Sequence, residues 1–189
     1  MDYFKKLWAY LQKDTLGSWI ASLLILFIII KFIVFPLLSF VTGSSLPLVV
    51  VESCSMYHAT SFNDWWYQNG AWYIENNISK NEFSSFNMLD GLNKGDVVVV
   101  VKDSHPKPGD IIIFNAGTQY PIIHRIMSLS PINTKGDNNL GQLSIEQNIS
   151  ENSIIGKAAW KVPFIGWIKL IFFEPFKPAS ERGLCVPSA

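Results

Sequence analysis

Several things are missing from this sequence, and each absence removes a class of function. Fifteen Lys plus Arg balance fifteen Asp plus Glu over 189 residues, so there is no cationic excess to neutralise phosphates, and nucleic acid is not a partner. Internal repeats and low-complexity tracts are lacking, which sets aside arrays and solenoids. Only Cys54 and Cys185 carry thiols; they could form one bridge in an oxidising compartment, but connectivity is not readable from sequence. Two free thiols are therefore the default reading. Histidine is scarce, with three in the chain. No metal and no cofactor are expected. Basic residues are absent between Lys31 and Lys80.

What the chain has in quantity is oil. Trp19 to Phe40 is a run of 22 residues broken by one charge, Lys31, and one proline, Pro36, long enough to cross a bilayer core as a helix. A lysine at mid-membrane costs about 2.5–3.5 kcal/mol on insertion scales, which the surrounding Ile, Leu and Phe offset. A cleaved export signal would have a shorter apolar region and a small-x-small exit; this run ends in SFVTGSS with no such triplet. Residues 18–41 are thus expected to be a transmembrane anchor. Lys5, Lys6 and Lys13 precede the span, which puts the N-terminus in the cytoplasm and the rest outside the cell membrane. Residues 1–17, with aromatic and Leu residues among lysines, suit an amphipathic segment at the cytoplasmic surface.

Beyond residue 41 the pattern changes to short Val/Ile-rich runs separated by Gly, Pro, Asn and Asp: LPLVVVES, DVVVVVKD, DIIIFNAG, PIIHRIMSL, LSIEQ and SIIGKAAWKV. These read as strands of a mainly β domain over residues 46–172. Val97–Val101 and Ile111–Ile113 lack alternation, as expected for strands covered on both faces of a folded-over sheet or partial barrel. Residues 60–92 interrupt the pattern with Trp65, Trp66, Tyr67, Trp72 and Tyr73. That insertion is either an interfacial aromatic belt dipping into headgroups or a subdomain burying its rings against the sheet. Residues 173–189 read as a frayed tail. Asn77-Ile78-Ser79 and Asn148-Ile149-Ser150 fit the N-glycosylation pattern.

The chemistry centres on Val49–His58, VVVESCSMYH, where an oily strand exits into small reactive side chains. If Ser55 is a nucleophile, it needs a base, a group to orient that base, and donors for the oxyanion. His58 and His105 read as loop residues. His124 interrupts an apolar strand, which by itself suits a half-buried histidine bonded to backbone. Asp137, in TKGDNN, is a loop carboxylate of the kind that holds an imidazole by its δ nitrogen.

SCSM, KGDVVVVV, KPGDIIIF, IIHRI, TKGDNN and GKAAWKVPFIGWIKL stand in the order and spacing of type I signal peptidases. The resemblance covers roughly residues 15 to 172 apart from the aromatic insertion. A histidine where the bacterial enzymes carry a lysine base resembles the branch shared by archaeal enzymes and the eukaryotic catalytic subunit. The resemblance implies a LexA-like β fold with one N-terminal span. It also implies a membrane-bound serine endopeptidase acting on the signal peptides of secreted preproteins, with the bilayer and the translocation channel as surroundings. It makes Ser55 the nucleophile, His124 the general base, Asp137 an acidic helper, and Ser53 an oxyanion donor beside the Ser55 backbone NH. Val49, Val51 and Met56 are assigned by position to the apolar pocket lining. The chain departs from the family at Cys54, where glycine is usual, and at Leu143, where this branch carries a second aspartate; Glu146 is the nearest substitute acid. The competing reading is a catalytically impaired, membrane-tethered peptide-binding relative. A Cys54 thiolate or a Ser55–Lys135 pair are the alternative chemistries. From Val41 to Ser55 is 14 residues, at most about 46 Å fully extended.

Overall fold

The computed structural model describes residues 2–103 and 105–186. The chain divides into two compact units, Met1–Gly43 and Ser44–Ala189. In the first, helix α1 (Asp2–Leu11) precedes a continuous helical run, Leu16–Thr42, of 27 residues that contains an 18-residue window with a mean hydropathy of 2.8. By length and composition that run can cross a membrane. Thr15 caps it: the Thr15 hydroxyl accepts from Ser18 N at 3.3 Å while Ser18 reaches back to the Thr15 amide, a capping box built with serine in place of Glu. Helix α2 (Leu16–Ile29) passes into a π turn at Ile30–Val34 before helix α3 (Phe35–Thr42). Pro36 explains the π turn, because it lacks an amide hydrogen and its ring crowds the carbonyl four residues back. Gly43, at φ 67°, ends the helix in the left-handed conformation that glycine adopts without cost.

The second unit is built on one antiparallel six-stranded sheet with strand order β1-β2-β6-β3-β4-β5. The strands are β1 (Leu48–Val50), β2 (Val97–Val101), β3 (Ile111–Phe114), β4 (Ile122–Leu129), β5 (Ile132–Lys135) and β6 (Ile154–Val162). This is a mainly β fold of the signal-peptidase-like kind expected from sequence. Strand β3 is buried at all four positions. Ile111 and Ile113 face a core with Val51, Met56, Val98 and Val100, while Ile112 and Phe114 pack with Ile126, Ile132 and Ile149. Strand β2 differs from expectation: Val98 and Val100 are buried and their neighbours only half-buried, so it is a one-face strand. Two further differences follow from local chemistry. LSIEQ is a 3₁₀ turn at Ser144–Glu146, because Glu146 turns inward to satisfy backbone amides, whereas INTK, too polar to read as a strand, forms β5 beside β4.

The aromatic insertion is a packed subdomain, and the headgroup-belt reading does not hold. Helix α4 (Phe62–Glu75) is capped by Ser61, whose hydroxyl accepts from Asp64 N at 3.4 Å, and helix α5 (Lys80–Phe83) follows. Trp65, Trp66, Tyr73, Ile78 and Phe83 form a buried cluster, and Trp65 stacks on His58 with ring centroids 3.9 Å apart. The exposed apolar surface lies instead at the C-terminal end, where helix α6 (Trp167–Phe173) and the residues after it present Ile168, Ile171, Phe172 and Phe176 to the outside. Trp167 seats α6 on the 93–96 turn: its Nε1 donates to Lys94 O at 3.0 Å, and its ring lies where any side chain at Gly95 would sit, 2.1 Å from a built Cβ.

Trp65 is 2% exposed and touches four other aromatic rings besides His58. Trp65→Ala should therefore cost about 3–5 kcal/mol. The expected readout is a lowered melting temperature of the detergent-solubilised chain, larger than that of Tyr67→Ala at an exposed position of the same helix.

Candidate active site

Strand β1 hands the chain to a turn with little regular structure. Val51 is still fixed, its N donating to Asp96 O at 2.9 Å and its O accepting from Gly95 N at 2.8 Å. The next residues, Glu52 to Tyr57, make no strand pairing except a single bridge at Tyr57. Their shape is set by contacts with the loop after β5: Asn138 N donates to Ser55 O at 2.7 Å and Asn138 Nδ2 to Cys54 O at 3.0 Å. Strand β4 brings His124 alongside, paired in register with Ile112 of β3.

The result is a row of three polar groups. Ser55 Oγ lies 3.0 Å from His124 Nε2. On the far side of the ring, His124 Nδ1 lies in close contact with Glu146 Oε1, off the line of an aligned hydrogen bond. Glu146 is fully buried and its carboxylate accepts from Gly136 N at 2.8 Å and Leu143 N at 2.5 Å. A carboxylate so engaged only accepts, so the hydrogen of the imidazole belongs on Nδ1 and the Nε2 lone pair is left facing the serine hydroxyl. That is the tautomer a base requires. Ser53 Oγ lies 3.1 Å from Ser55 Oγ, with Ser53 exposed and Ser55 half-buried.

Asp137 does not touch His124, which corrects the expectation that it holds the δ nitrogen. It is fully buried against Arg125, which donates through Nε at 3.0 Å and through Nη2 at 2.7 Å. Tyr73 Oη and His58 Nε2 complete its shell at 3.3 and 3.0 Å. Burial alone would raise the Asp137 pKa; the Arg125 charge and the hydrogen bonds from His58 and Arg125 outweigh it and hold the carboxyl well below the usual range. His58 is thus a buried partner of Asp137 and not a loop residue open to solvent, a role that sequence reasoning missed; the neighbouring aromatic helix was the available signal. His105 is exposed in the loop before β3.

The alternative chemistries find no support. Cys54 is bonded to Cys185, with Cα atoms 5.6 Å apart, so the free-thiol reading fails and no thiolate is available beside Ser55. Lys135 Nζ donates to Gly136 O at 3.0 Å and Asn139 O at 2.7 Å and sits over the Trp72 and Tyr73 rings. Of the pocket candidates, Val51 and Met56 are buried in the core, and Val49 packs half-buried against it. A surface cleft of about 480 Å³ lies between Asn87–Met88 and β6, and none of its lining residues belongs to the Ser55 site.

A hydroxyl, an imidazole and a buried carboxylate thus stand in line on an antiparallel sheet, in a chain with one membrane-crossing candidate helix among the described residues. The comparisons narrow the reading of that site. The chain is 31% identical over 104 residues to the signal peptidase complex catalytic subunit sec11 of Dictyostelium discoideum, covering 48% of this chain and 58% of that protein. It is 28% identical over 105 residues to the signal peptidase complex catalytic subunit SEC11 of Debaryomyces hansenii, covering 48% and 63%. The matched region thus spans less than two thirds of either relative. No protein-family profile matches the chain. The two similarities support a type I signal peptidase-like family of the archaeal and eukaryotic branch.

Two predictions follow from the packing around the site. A Cβ on Gly136 would lie 2.8 Å from His124 Nε2 and 2.9 Å from Ser55 O, so Gly136→Ala must push the two apart. The rate at which a fluorophosphonate labels Ser55 should fall by about 10²-fold, the scale of a 1 Å misplacement. Burial lowers the Lys135 pKa to about 8, only partly offset by Asp137 and Glu146. Between that value and the unfolded-state value of about 10.4 the unfolded chain binds more protons, so stability rises with pH. The melting temperature should climb from about pH 8 to about pH 9.5, and Lys135→Met should remove the climb.

Proposed function

We propose that this chain is a membrane-anchored serine endopeptidase that removes signal peptides from secreted preproteins. The observation that carries the reading is the 3.0 Å contact between Ser55 Oγ and His124 Nε2, with a carboxylate behind the ring. In this mechanism His124 takes the Ser55 proton as the oxygen attacks the scissile carbonyl, then returns it to the leaving amine. The Ser53 hydroxyl and the Ser55 backbone NH stabilise the oxyanion. Glu146 fills the acidic place beside Nδ1, in step with the absence of an aspartate at Leu143. Asp137 acts one step removed, by fixing the turn that carries Gly136 and Asn138.

Strand β1 is an edge strand, paired only to β2, and it runs directly into the Ser53–Ser55 turn. A substrate in extended form can add to such an edge, with half-buried Val49 beside it. The apolar helix Leu16–Thr42 supplies the anchor. The lysines before it favour a cytoplasmic N-terminus, and the Cys54–Cys185 bridge fits an oxidising compartment outside the cytoplasm. Substrates would then be met at the outer face as they leave the translocation channel. The formed Ser55–His124 contact weighs against the impaired, binding-only alternative.

The test is cleavage of a preprotein by the detergent-solubilised chain. Ser55→Ala and His124→Ala should each lower kcat by about 10⁴-fold or more, and Glu146→Gln by about 10²–10⁴-fold. Asp137→Asn should act first on stability, by about 3–5 kcal/mol, since it leaves the buried Arg125 charge uncompensated. Cleavage that persists in Ser55→Ala would refute the assignment of the nucleophile.

A further inference from the structure

The end of the Glu52–Tyr57 turn is tied to residues 91–92 by the Tyr57–Gly91 bridge and by Leu92 N donating to Met56 O at 2.8 Å, and the residues around Ser55 are held from two further sides, of which the mechanism above accounts for only one. On the His124 side, Asn138 binds the Cys54 and Ser55 carbonyls. On the opposite side stands the C-terminal segment. Cys185 is bonded to Cys54, the residue next to the nucleophile, across a sequence separation of 131. Lys177 Nζ donates to the Glu52 carbonyl at 3.2 Å and lies 3.5 Å from the Glu52 carboxylate. This segment is not a frayed tail. Lys94, itself 2% exposed, grips it by donating to Glu174 Oε2 at 2.8 Å and to Glu181 O at 2.5 Å. Gly183 N donates to the same Glu174 oxygen at 2.8 Å, and Arg182 Nε donates to Lys177 O at 2.6 Å. Cys185 is therefore a fixed post. A cleft of about 310 Å³ lies where the strap meets the serine turn, lined by Tyr57, His58, Lys94, Phe164, Leu184 and Cys185.

From this we infer that the segment Glu174–Val186 is a positioning element of the Ser55 site, clamped by the Cys54–Cys185 bond, and that reducing this bond lowers turnover without unfolding the sheet. The inference rests on the proposed cleavage reaction and adds a determinant that the Ser55–His124–Glu146 row does not contain. The chemistry is a two-electron exchange: a dithiol reductant breaks the S–S bond, leaves thiols on Cys54 and Cys185, and is itself oxidised to its cyclic disulfide. What is lost is the covalent constraint on the residue next to Ser55; the ties at Met56 and Tyr57 hold only the far end of the turn. The strand ladder ends at Val51 and cannot replace it.

The test compares the full chain in detergent before and after reduction with dithiothreitol, with two free thiols per chain as the measure of completeness. The expected result is a kcat lowered about 10- to 100-fold with KM changed little, and a parallel fall in fluorophosphonate labelling of Ser55. The Cys54→Ala/Cys185→Ala double variant should start at the reduced level and ignore the reductant. Lys177→Met should lower kcat in the same direction in the oxidised chain. Hydrogen exchange reads the positioning itself, without relying on activity: the amides of Tyr57, which donates to Cys54 O, and of Asn138, which donates to Ser55 O, should lose protection on reduction while those of the Trp65 cluster keep theirs. Unchanged protection at both amides after full reduction overturns the inference even in a chain that cleaves nothing, whereas an inactive oxidised chain whose turn does loosen on reduction would count against the cleavage reaction alone. Loss of protection throughout the sheet would make the bond a staple of the fold, and would also overturn it.

Discussion

The ion pair between Arg125 and Asp137 is the contact on which the site's geometry depends. Both side chains are fully buried, and neither could stay there alone: an uncompensated buried charge costs about 3–5 kcal/mol. Arg125 spends its fork on two tasks. Nε and Nη2 hold Asp137, while Nη1 donates to Asn87 O at 2.7 Å and to Gly109 O at 2.9 Å. One guanidinium therefore ties β4 to the end of the aromatic insertion, to the approach to β3, and to the turn after β5. That turn carries Gly136, whose NH orients Glu146, and Asn138, which holds the Ser55 carbonyl. A buried pair of this kind is weak evidence of net stability; its value here is that it selects one arrangement of three segments.

The two acids near His124 divide their work for an electrostatic reason. Asp137 already faces a guanidinium, so its charge is largely compensated, and a second cation forming on the imidazole would gain little from it. Glu146 has no guanidinium against it: its carboxylate accepts from backbone Gly136 N and Leu143 N, and Lys135 attracts it without a hydrogen bond between them. Those donors fix its carboxylate in a dry place, with one oxygen against the ring it touches. A carboxylate held this way stabilises an imidazolium as it appears. Lys135 sits one residue before Gly136 and binds the carbonyls of Gly136 and Asn139, so the same turn is closed from its other end by a cation that never meets the serine.

What could be read from the residues follows from how local each signal is. The apolar helix, the Val/Ile strands and the identities of Ser55 and His124 are written in contiguous stretches, and the structure has the helix, the strands and the contact between those two side chains. The acidic partner was harder, because Glu146 reaches His124 through a loop whose path no periodicity specifies; LSIEQ even alternates like a strand. The tryptophans misled in the opposite way. Their density suits a membrane surface, but Trp65 has His58 to stack on and Phe83 to pack against, and a bond from His58 to Asp137, 79 residues away, could not be inferred. The Cys54–Cys185 bond closes a loop of 131 residues, a separation at which sequence carries no geometric information.

The aromatic insertion then has a place in the logic of the site. Tyr73 and His58 both bind Asp137, and both belong to or stack on the Trp65 cluster. Burial raises the Tyr73 pKa, and the Asp137 charge raises it further, so its hydroxyl stays protonated, as a donor to that carboxylate, beyond the usual tyrosine range. The rings exclude water from Asp137 and Arg125, which strengthens their attraction. The cluster is thus the dry wall against which the ion pair is set. Its distance from Ser55 is bridged by Met56, the next residue in the chain, whose sulfur accepts from Asp137 N at 3.4 Å.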